Sequence, residues 1–162
     1  MKKILLSAIA VMAFGFTAQA QDDGGLKAGI HIGMPMGDAG DLYNLNFGAD
    51  VAYMWPVADQ FTVGATTGYS YFSGEEFMGV KLNGAFIPLA ATAQYSLSDA
   101  FFLGADLGYA LYAGDGDGDG GVYYQPKVGY QTEFFEVYAS YKGIAVDGTS
   151  ISTVGLGFNY KF

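Results

Sequence analysis

Three aspartates alternate with glycine in one loop segment and form the most metal-like motif of the chain. Asp115, Asp117 and Asp119 have the spacing of the first ligands of an EF-hand calcium loop, and Gly120 stands at its glycine position. The twelfth position is Pro126, so the bidentate glutamate of that loop is missing. Because glycine and aspartate also favour solvated loop tips, two interpretations stay open: a weak calcium site, or an acidic tip without a ligand. We expect no other cofactor.

His31 is the only histidine, and the chain contains no cysteine. A lipid hydrolase would need such a histidine beside a serine nucleophile, with an acid to orient the ring. The sequence places no serine beside His31, which stands on the polar side of an alternating segment. We therefore expect a hydrogen-bonded interior histidine and no enzymatic activity, with catalysis as the alternative.

Eight ionisable residues share the polar side of alternating segments, where their neighbours are mostly glycine, serine and threonine. They are Lys27, His31, Asp50, Asp106, Lys127, Glu136, Lys142 and Lys161. An unpaired buried charge costs several kcal/mol, so in a barrel interior these groups should pair. Counting from the turns predicts that Asp106 lies level with Lys127, and Glu136 near Lys161. We interpret the set as a polar network that fills the barrel; a gated pathway for protons or ions is the alternative.

These positions belong to eight segments in which apolar and polar residues alternate with period two, as in a β-strand with two different faces. The segments lie near 25–34, 45–55, 61–71, 81–97, 101–111, 122–131, 134–144 and 152–162. Each has about the length that a tilted strand needs to cross a bilayer. Short turns alternate with connections that are mostly longer and rich in glycine and acids, which is the asymmetry of outer-membrane barrels.

The apolar side of these segments carries an aliphatic band, with residues such as Val51, Leu103, Leu107 and Leu156, between aromatic residues near both strand ends. Two aromatic belts around an aliphatic band match a lipid slab. The residues on the polar side are too small and carry too few charges for an ordinary solvated surface. A sheet edge in hydrocarbon is costly, so the sheet should close. We predict an all-β fold, an eight-stranded antiparallel up-and-down transmembrane β-barrel whose apolar side faces lipid.

Residues 1–20 have the pattern of a secretory signal peptide: a basic start, an apolar run and a small-residue cleavage site. The barrel domain is then expected over residues 21–162. After residue 20 no apolar run is long enough for a spanning helix. The formal net charge of −9 argues against nucleic acid as a partner.

The chain resembles the small eight-stranded outer-membrane β-barrel proteins of Gram-negative bacteria, the OmpA- and OmpX-like class, and the compact outer-membrane barrels of Bacteroidetes-type bacteria. The resemblance covers the whole mature chain and rests on topology, aromatic belts and the segment 157–162. It implies that Phe158, Tyr160 and Phe162 are read by the outer-membrane assembly machinery. It also implies a bacterial outer-membrane location, contact with outer-membrane lipid and periplasmic chaperones, and a monomer. The expected function is structural or mediated by loops; a narrow, porin-like pore or carrier for small solutes is the alternative.

Overall fold

The computed structural model describes residues 25–74, 76–77, 80–81, 83–114, 118–146 and 148–162. The predicted signal peptide lies outside these residues. Eight long strands and one short hairpin make up most of the described chain. The long strands are β1 (Gly25–Met36), β2 (Tyr43–Ala58), β3 (Phe61–Gly74), β6 (Gly84–Ser96), β7 (Phe101–Tyr112), β8 (Gly121–Gln131), β9 (Phe135–Val146) and β10 (Thr149–Lys161); the hairpin is β4 (Glu76–Phe77) with β5 (Val80–Lys81).

The long strands form a closed antiparallel barrel in the order β1-β10-β9-β8-β7-β6-β3-β2. Strands that follow one another along the chain are neighbours, and the β4–β5 hairpin stands apart in the connection between β3 and β6. Closure is made by β1 and β10, whose register runs from Lys27 opposite Lys161 to Met36 opposite Ser152. The predicted eight-stranded up-and-down architecture is confirmed.

The two faces of the barrel have the predicted chemistry. Val51, Leu103, Leu107 and Leu156 are exposed on the outer surface, whereas Asp106 is 3% exposed. The outer surface also carries exposed aromatic residues towards both strand ends, such as Trp55 at one end. A soluble barrel would show the opposite arrangement, with its aliphatic side chains inside. The outer surface therefore suits hydrocarbon.

Most strands extend beyond the predicted segments, mainly at the end of the barrel where the long loops lie. The fourth is shorter than the predicted 81–97, because β6 spans Gly84–Ser96 and residue 81 belongs to the separate hairpin. β1 and β9 each continue two residues further than predicted, to Met36 and Val146. The connection between β9 and β10 is consequently only residues 147–148, shorter than the predicted loop, and Gly148 has a φ of 78° that favours glycine. The ladder continues here because water, unlike lipid, does not limit the length of a hairpin.

Short turns join β2 to β3, β6 to β7 and β8 to β9, and define what is called here the short-turn end. The opposite, long-loop end holds the connections from β1 to β2, β3 to β6 and β7 to β8. The first of these contains a 3-10 turn over Gly37–Ala39. Within the described ranges, no helix is long and apolar enough to span a membrane.

Two prolines interrupt the hydrogen-bonded ladder. Pairing of β3 with β6 runs to Thr67 opposite Leu89 and resumes only beyond Pro88. Pairing of β8 with β9 likewise stops at Tyr124 and resumes at Lys127, leaving out Pro126. Proline has no N–H to donate to a neighbouring strand. The barrel therefore has two weakened seams, one between β3 and β6 and one between β8 and β9.

Leu107→Lys tests the orientation of the barrel wall. Leu107 lies near the middle of β7 and is 65% exposed. A lysine at the bilayer midplane should lower the free energy of unfolding by about 2–4 kcal/mol, against about 0–1 kcal/mol near an interface. Unfolding by denaturant in phospholipid vesicles measures the loss, and Val122→Lys at the start of β8 is the matched control. Equal, small losses in both variants would mean that the wall meets water.

Candidate functional site

The barrel interior is the place where the chain concentrates its chemistry. Strand alternation turns the polar side of every long strand inwards, and all eight ionisable residues singled out from the sequence lie there. They separate by height into three groups: a lower network near the short-turn end, a middle pair, and an upper cluster. An aromatic layer lies above them, towards the long-loop end.

The lower network is centred on Glu136, which is fully buried. Lys27 Nζ lies 2.5 Å from its Oε1 and Lys161 Nζ lies 3.5 Å from the same atom. Gln94 accepts a hydrogen bond from Lys27 at 2.9 Å and donates one to Glu136 at 3.1 Å. Asn159 donates to the second carboxylate oxygen at 3.1 Å. The buried carboxylate is thus paired and multiply hydrogen-bonded, as a charge in a low-dielectric interior must be.

The middle pair is Asp106 on β7 with Lys127 on β8. Lys127 Nζ lies 2.7 Å from Asp106 Oδ2. The register of the two strands places Asp106 opposite Gln125 and Gly104 opposite Lys127, so the paired side chains lean towards each other diagonally. The ammonium of Lys127 also lies 5.3 Å from the centre of the Tyr138 ring, within cation–π range. Counting from the turns predicted this ion pair correctly, as it did the approach of Lys161 to Glu136.

The upper cluster consists of His31, Asn46, Asp50, Ser70 and Lys142. His31 Nδ1 lies 2.6 Å from Asp50 Oδ2, and Lys142 Nζ lies 2.8 Å from His31 Nε2. A charged lysine can only donate, so Nε2 is the acceptor and the ring proton is on Nδ1, where it is donated to Asp50. Lys142 also donates to Ser70 at 3.1 Å and to Asn46 at 3.4 Å. Among the described residues, its ammonium group is in no direct ion pair with a carboxylate and is linked to Asp50 through the imidazole.

The structure brings a serine to His31, which the sequence did not indicate. Ser70 Oγ lies 3.3 Å from His31 Nε2, so Ser70, His31 and Asp50 stand in the order of a catalytic triad. The nitrogen that would have to accept the serine proton already accepts a hydrogen bond from Lys142. Ser70 is itself 1% exposed and accepts a second hydrogen bond, from Asn46 at 2.9 Å. This geometry favours a fixed structural cluster over a nucleophile.

Close packing around His31 holds the ring in place. A Cβ atom added to Gly48, on the neighbouring strand β2, would lie only 2.7 Å from Cε1 and 2.8 Å from Nε2 of His31. Glycine at this position therefore lets the imidazole approach the barrel wall. A larger residue at position 48 would displace the His31 ring or the strand.

The aromatic layer closes the interior above the upper cluster. It consists of Phe72, Phe86, Ala110, Tyr123 and Ile144, all nearly inaccessible to solvent. Phe72 and Phe86 make an edge-to-face contact with ring centres 5.8 Å apart. Tyr123, whose hydroxyl donates to Gln125, connects the layer to the polar groups below it. The layer separates the polar interior from the long-loop end.

The uncharged members of the network were not predicted from the sequence. They are Asn46, Ser70, Gln94, Gln125, Gln131, Ser140 and Asn159. Their signal was available, because each lies on the same inward side as the charged residues. An amide or hydroxyl on that side is as informative as a charge, since a buried polar group must find a partner.

The predicted calcium motif lies mostly outside the described residues. Asp115 and Asp117 are not among them, and Asp119 is exposed at the long-loop end. Within the part of the chain that the structure describes, no group of three or more histidines or carboxylates could hold a metal ion. The calcium site stays a prediction.

No protein-family model and no curated protein matches the chain. Solved structures do match it. Ail of Yersinia pestis, determined in a phospholipid nanodisc, has a TM-score of 0.57 at 16% identity and covers 84% of this chain and 99% of its own. The N-terminal barrel domain of Pseudomonas aeruginosa OprF has a TM-score of 0.54 at 16% identity, and the match covers 89% of this chain and 100% of that domain. Neisserial surface protein A has a TM-score of 0.52 at 16% identity, and the match covers 86% of this chain and 97% of that protein.

At this level of identity the likeness concerns the fold. The fold is that of the small bacterial outer-membrane barrels, and the outer surface has the apolar residues that such a barrel presents to lipid. The chain therefore has the fold of the eight-stranded bacterial outer-membrane β-barrels, with an outer surface suited to lipid, and its specific role must be argued from its interior and its loops.

Removing one partner of the middle pair should destabilise the barrel more than removing both partners, because a lone buried charge remains. Lys127→Met leaves Asp106 charged and buried, and should cost about 3–5 kcal/mol of unfolding free energy. Adding Asp106→Asn to that variant should recover part of the loss, because the lone charge disappears. Lys161→Met is the control, since Glu136 keeps Lys27 at 2.5 Å. Denaturant unfolding in vesicles measures wild type, Lys127→Met, Asp106→Asn, the double variant and the control. Losses in the two single variants that add up to the loss in the double variant would contradict the pairing.

Proposed function

We propose that this chain is a non-enzymatic outer-membrane barrel that serves as a rigid scaffold and acts structurally or through its loops. The observation that carries the proposal is the filled interior. Three levels of polar contacts and an aromatic layer occupy the barrel from the short-turn end to the long-loop end. An eight-stranded barrel is just wide enough to be filled by its own side chains.

The size of the interior spaces supports this proposal. Two cavities within the described residues have a volume of about 20 Å³ each. A small-molecule site usually needs about 300–1,000 Å³. Neither cavity can hold an organic substrate, which favours a scaffold over an enzyme and over a carrier of organic solutes.

The loops at the long-loop end offer the surface for interactions. Asp38, Asp41 and Asp119 are exposed there, and a rim of like charge favours cationic partners and repels anionic ones. We propose that Asp115, Asp117 and Asp119 add to this acidic rim. Calcium binding by these three residues is the more specific version of the same proposal.

The outer face of β10 supports a second part of the proposal, which concerns assembly. Phe158, Tyr160 and Phe162 are exposed and share one side of the strand. Their side chains are accessible to lipid and to another protein. We propose that the outer-membrane assembly machinery reads this row after periplasmic chaperones deliver the chain, and that the folded barrel is a monomer.

The alternative function, a narrow pore, is tested by conductance. The purified barrel, reconstituted in a planar lipid bilayer, should show no steady single-channel current in potassium chloride, because the aromatic layer and the ion pairs block the interior. A large porin reconstituted in the same lipid is the positive control. Steady channels of uniform size would contradict the filled interior and favour the pore.

A further inference from the structure

One carboxylate oxygen in the barrel interior has no partner among the described residues. Asp106 is 3% exposed, and its Oδ2 pairs with Lys127, but Oδ1 lies buried without a hydrogen bond. Leaving a buried carboxylate oxygen unsatisfied is costly. A buried polar atom of this kind is therefore expected to meet a ligand or an ordered water.

A cavity lies beside Asp106. Its volume is about 20 Å³, and its wall includes Asp50, Asp106, Lys27, Lys127 and Tyr138. A cavity of about 10–15 Å³ or more holds a water molecule when two to four polar groups surround it. This cavity, called here the middle cavity, satisfies both conditions.

A second cavity of similar volume lies below the first and is called here the lower cavity. The two share Lys27, Lys127, Tyr138, Asn159 and Ala52 in their walls. The lower cavity also reaches Glu136, whose partner Lys161 has a side chain that is 25% exposed near the short-turn end. Polar groups thus line two neighbouring cavities between that end of the barrel and Asp50.

Charge decides which ligand suits the middle cavity. Its wall contains two carboxylates, Asp50 and Asp106, and two ammonium groups, Lys27 and Lys127. These charges cancel, so a cation would meet two lysines and an anion would meet two carboxylates. A neutral ligand that both donates and accepts hydrogen bonds fits the wall, and the volume restricts it to water.

We propose that the middle cavity is a water-binding site, with the water donating hydrogen bonds to the carboxylates of Asp50 and Asp106 that line it, and that it connects the upper cluster to solvent at the short-turn end. Water in the lower cavity continues the connection past Glu136. Asp50 is the entry to the upper cluster, because it lines the middle cavity and accepts the Nδ1 proton of His31. The aromatic layer closes the other end of the path.

This arrangement exchanges protons without net charge movement. Lys142 gives a proton to His31 Nε2 as the Nδ1 proton passes to Asp50, and Asp50 passes that proton to the water. A proton returning from the water to Asp50 retraces the same steps, so every group regains its original state. This proton exchange needs no ion current through the barrel. The conductance measurement and the exchange measurement can therefore succeed or fail independently of each other.

NMR of His31 tests the proposal on the intact barrel in phospholipid nanodiscs, because the chain has only one histidine. The rate at which the ring Nδ1 proton exchanges with water is measured on ¹⁵N-histidine-labelled protein. Ala52→Leu places additional side-chain volume in both cavities, and Ala105→Leu makes the same change on the outer face. Exchange should slow at least tenfold in Ala52→Leu and stay unchanged in Ala105→Leu.

A second measurement needs no substitution. In wild-type protein the Ala52 methyl group should show a magnetisation-transfer cross-peak to water, whereas the Ala105 methyl group should show one to lipid. Ala52→Val is the milder variant, in case Ala52→Leu does not fold, and should slow exchange to a smaller extent. The absence of a water cross-peak at Ala52, or equal exchange rates in wild type and folded Ala52 variants, would overturn the proposal.

Discussion

Hydrocarbon gives a peptide group no hydrogen-bond partner, and the pairing of β1 with β10 follows from that constraint. An open edge on either strand would leave a row of N–H and C=O groups in lipid, at several kcal/mol for each group. Closing eight strands fixes the radius, and the radius leaves an interior that side chains almost fill. Every other property of the interior follows from this: residues on the inward side must be small, mutually packed or mutually hydrogen-bonded.

The interior charges show how the chain meets that requirement. Four lysines face three carboxylates among the described inward residues: Lys27 and Lys161 share Glu136, Lys127 pairs with Asp106, and one ammonium group contacts no carboxylate directly. Lys142 is that group, and it uses His31 as a bridge to Asp50. The side-chain amides of Gln94 and Asn159 donate further hydrogen bonds to Glu136, in addition to its lysine partners. Neutral side chains thereby distribute hydrogen bonds where ion pairs alone would leave polar atoms unsatisfied.

The alternation of side chains was enough to predict the fold and the face of the wall on which each charged strand residue lies. Period two assigns each residue to a face, and counting from the turns placed Asp106 beside Lys127. The contact of Ser70 with His31 could not be predicted in this way, because it joins β3 to β1 across an intervening strand. Such contacts depend on the stagger of the strands and on side-chain rotamers. The additional length of the strands at the long-loop end was missed because the lipid thickness, which guided the prediction, does not apply there.

The two proline interruptions divide the wall into unequal parts. β6, β7 and β8 form a three-stranded panel that is continuous in sequence, and β9, β10, β1, β2 and β3 form a five-stranded panel. Each of the four ion pairs found among the described residues lies within one panel. The contacts between panels include neutral hydrogen bonds, such as those of Thr67 with Pro88 and of Gln125 with Ser140. Sliding of one panel against the other would leave all four ion pairs intact, but it would break the hydrogen bonds of Gln94 on β6 with Lys27 and Glu136 and the contact of Lys127 with the Tyr138 ring. Uncharged side chains, rather than ion pairs, therefore hold the two panels in register.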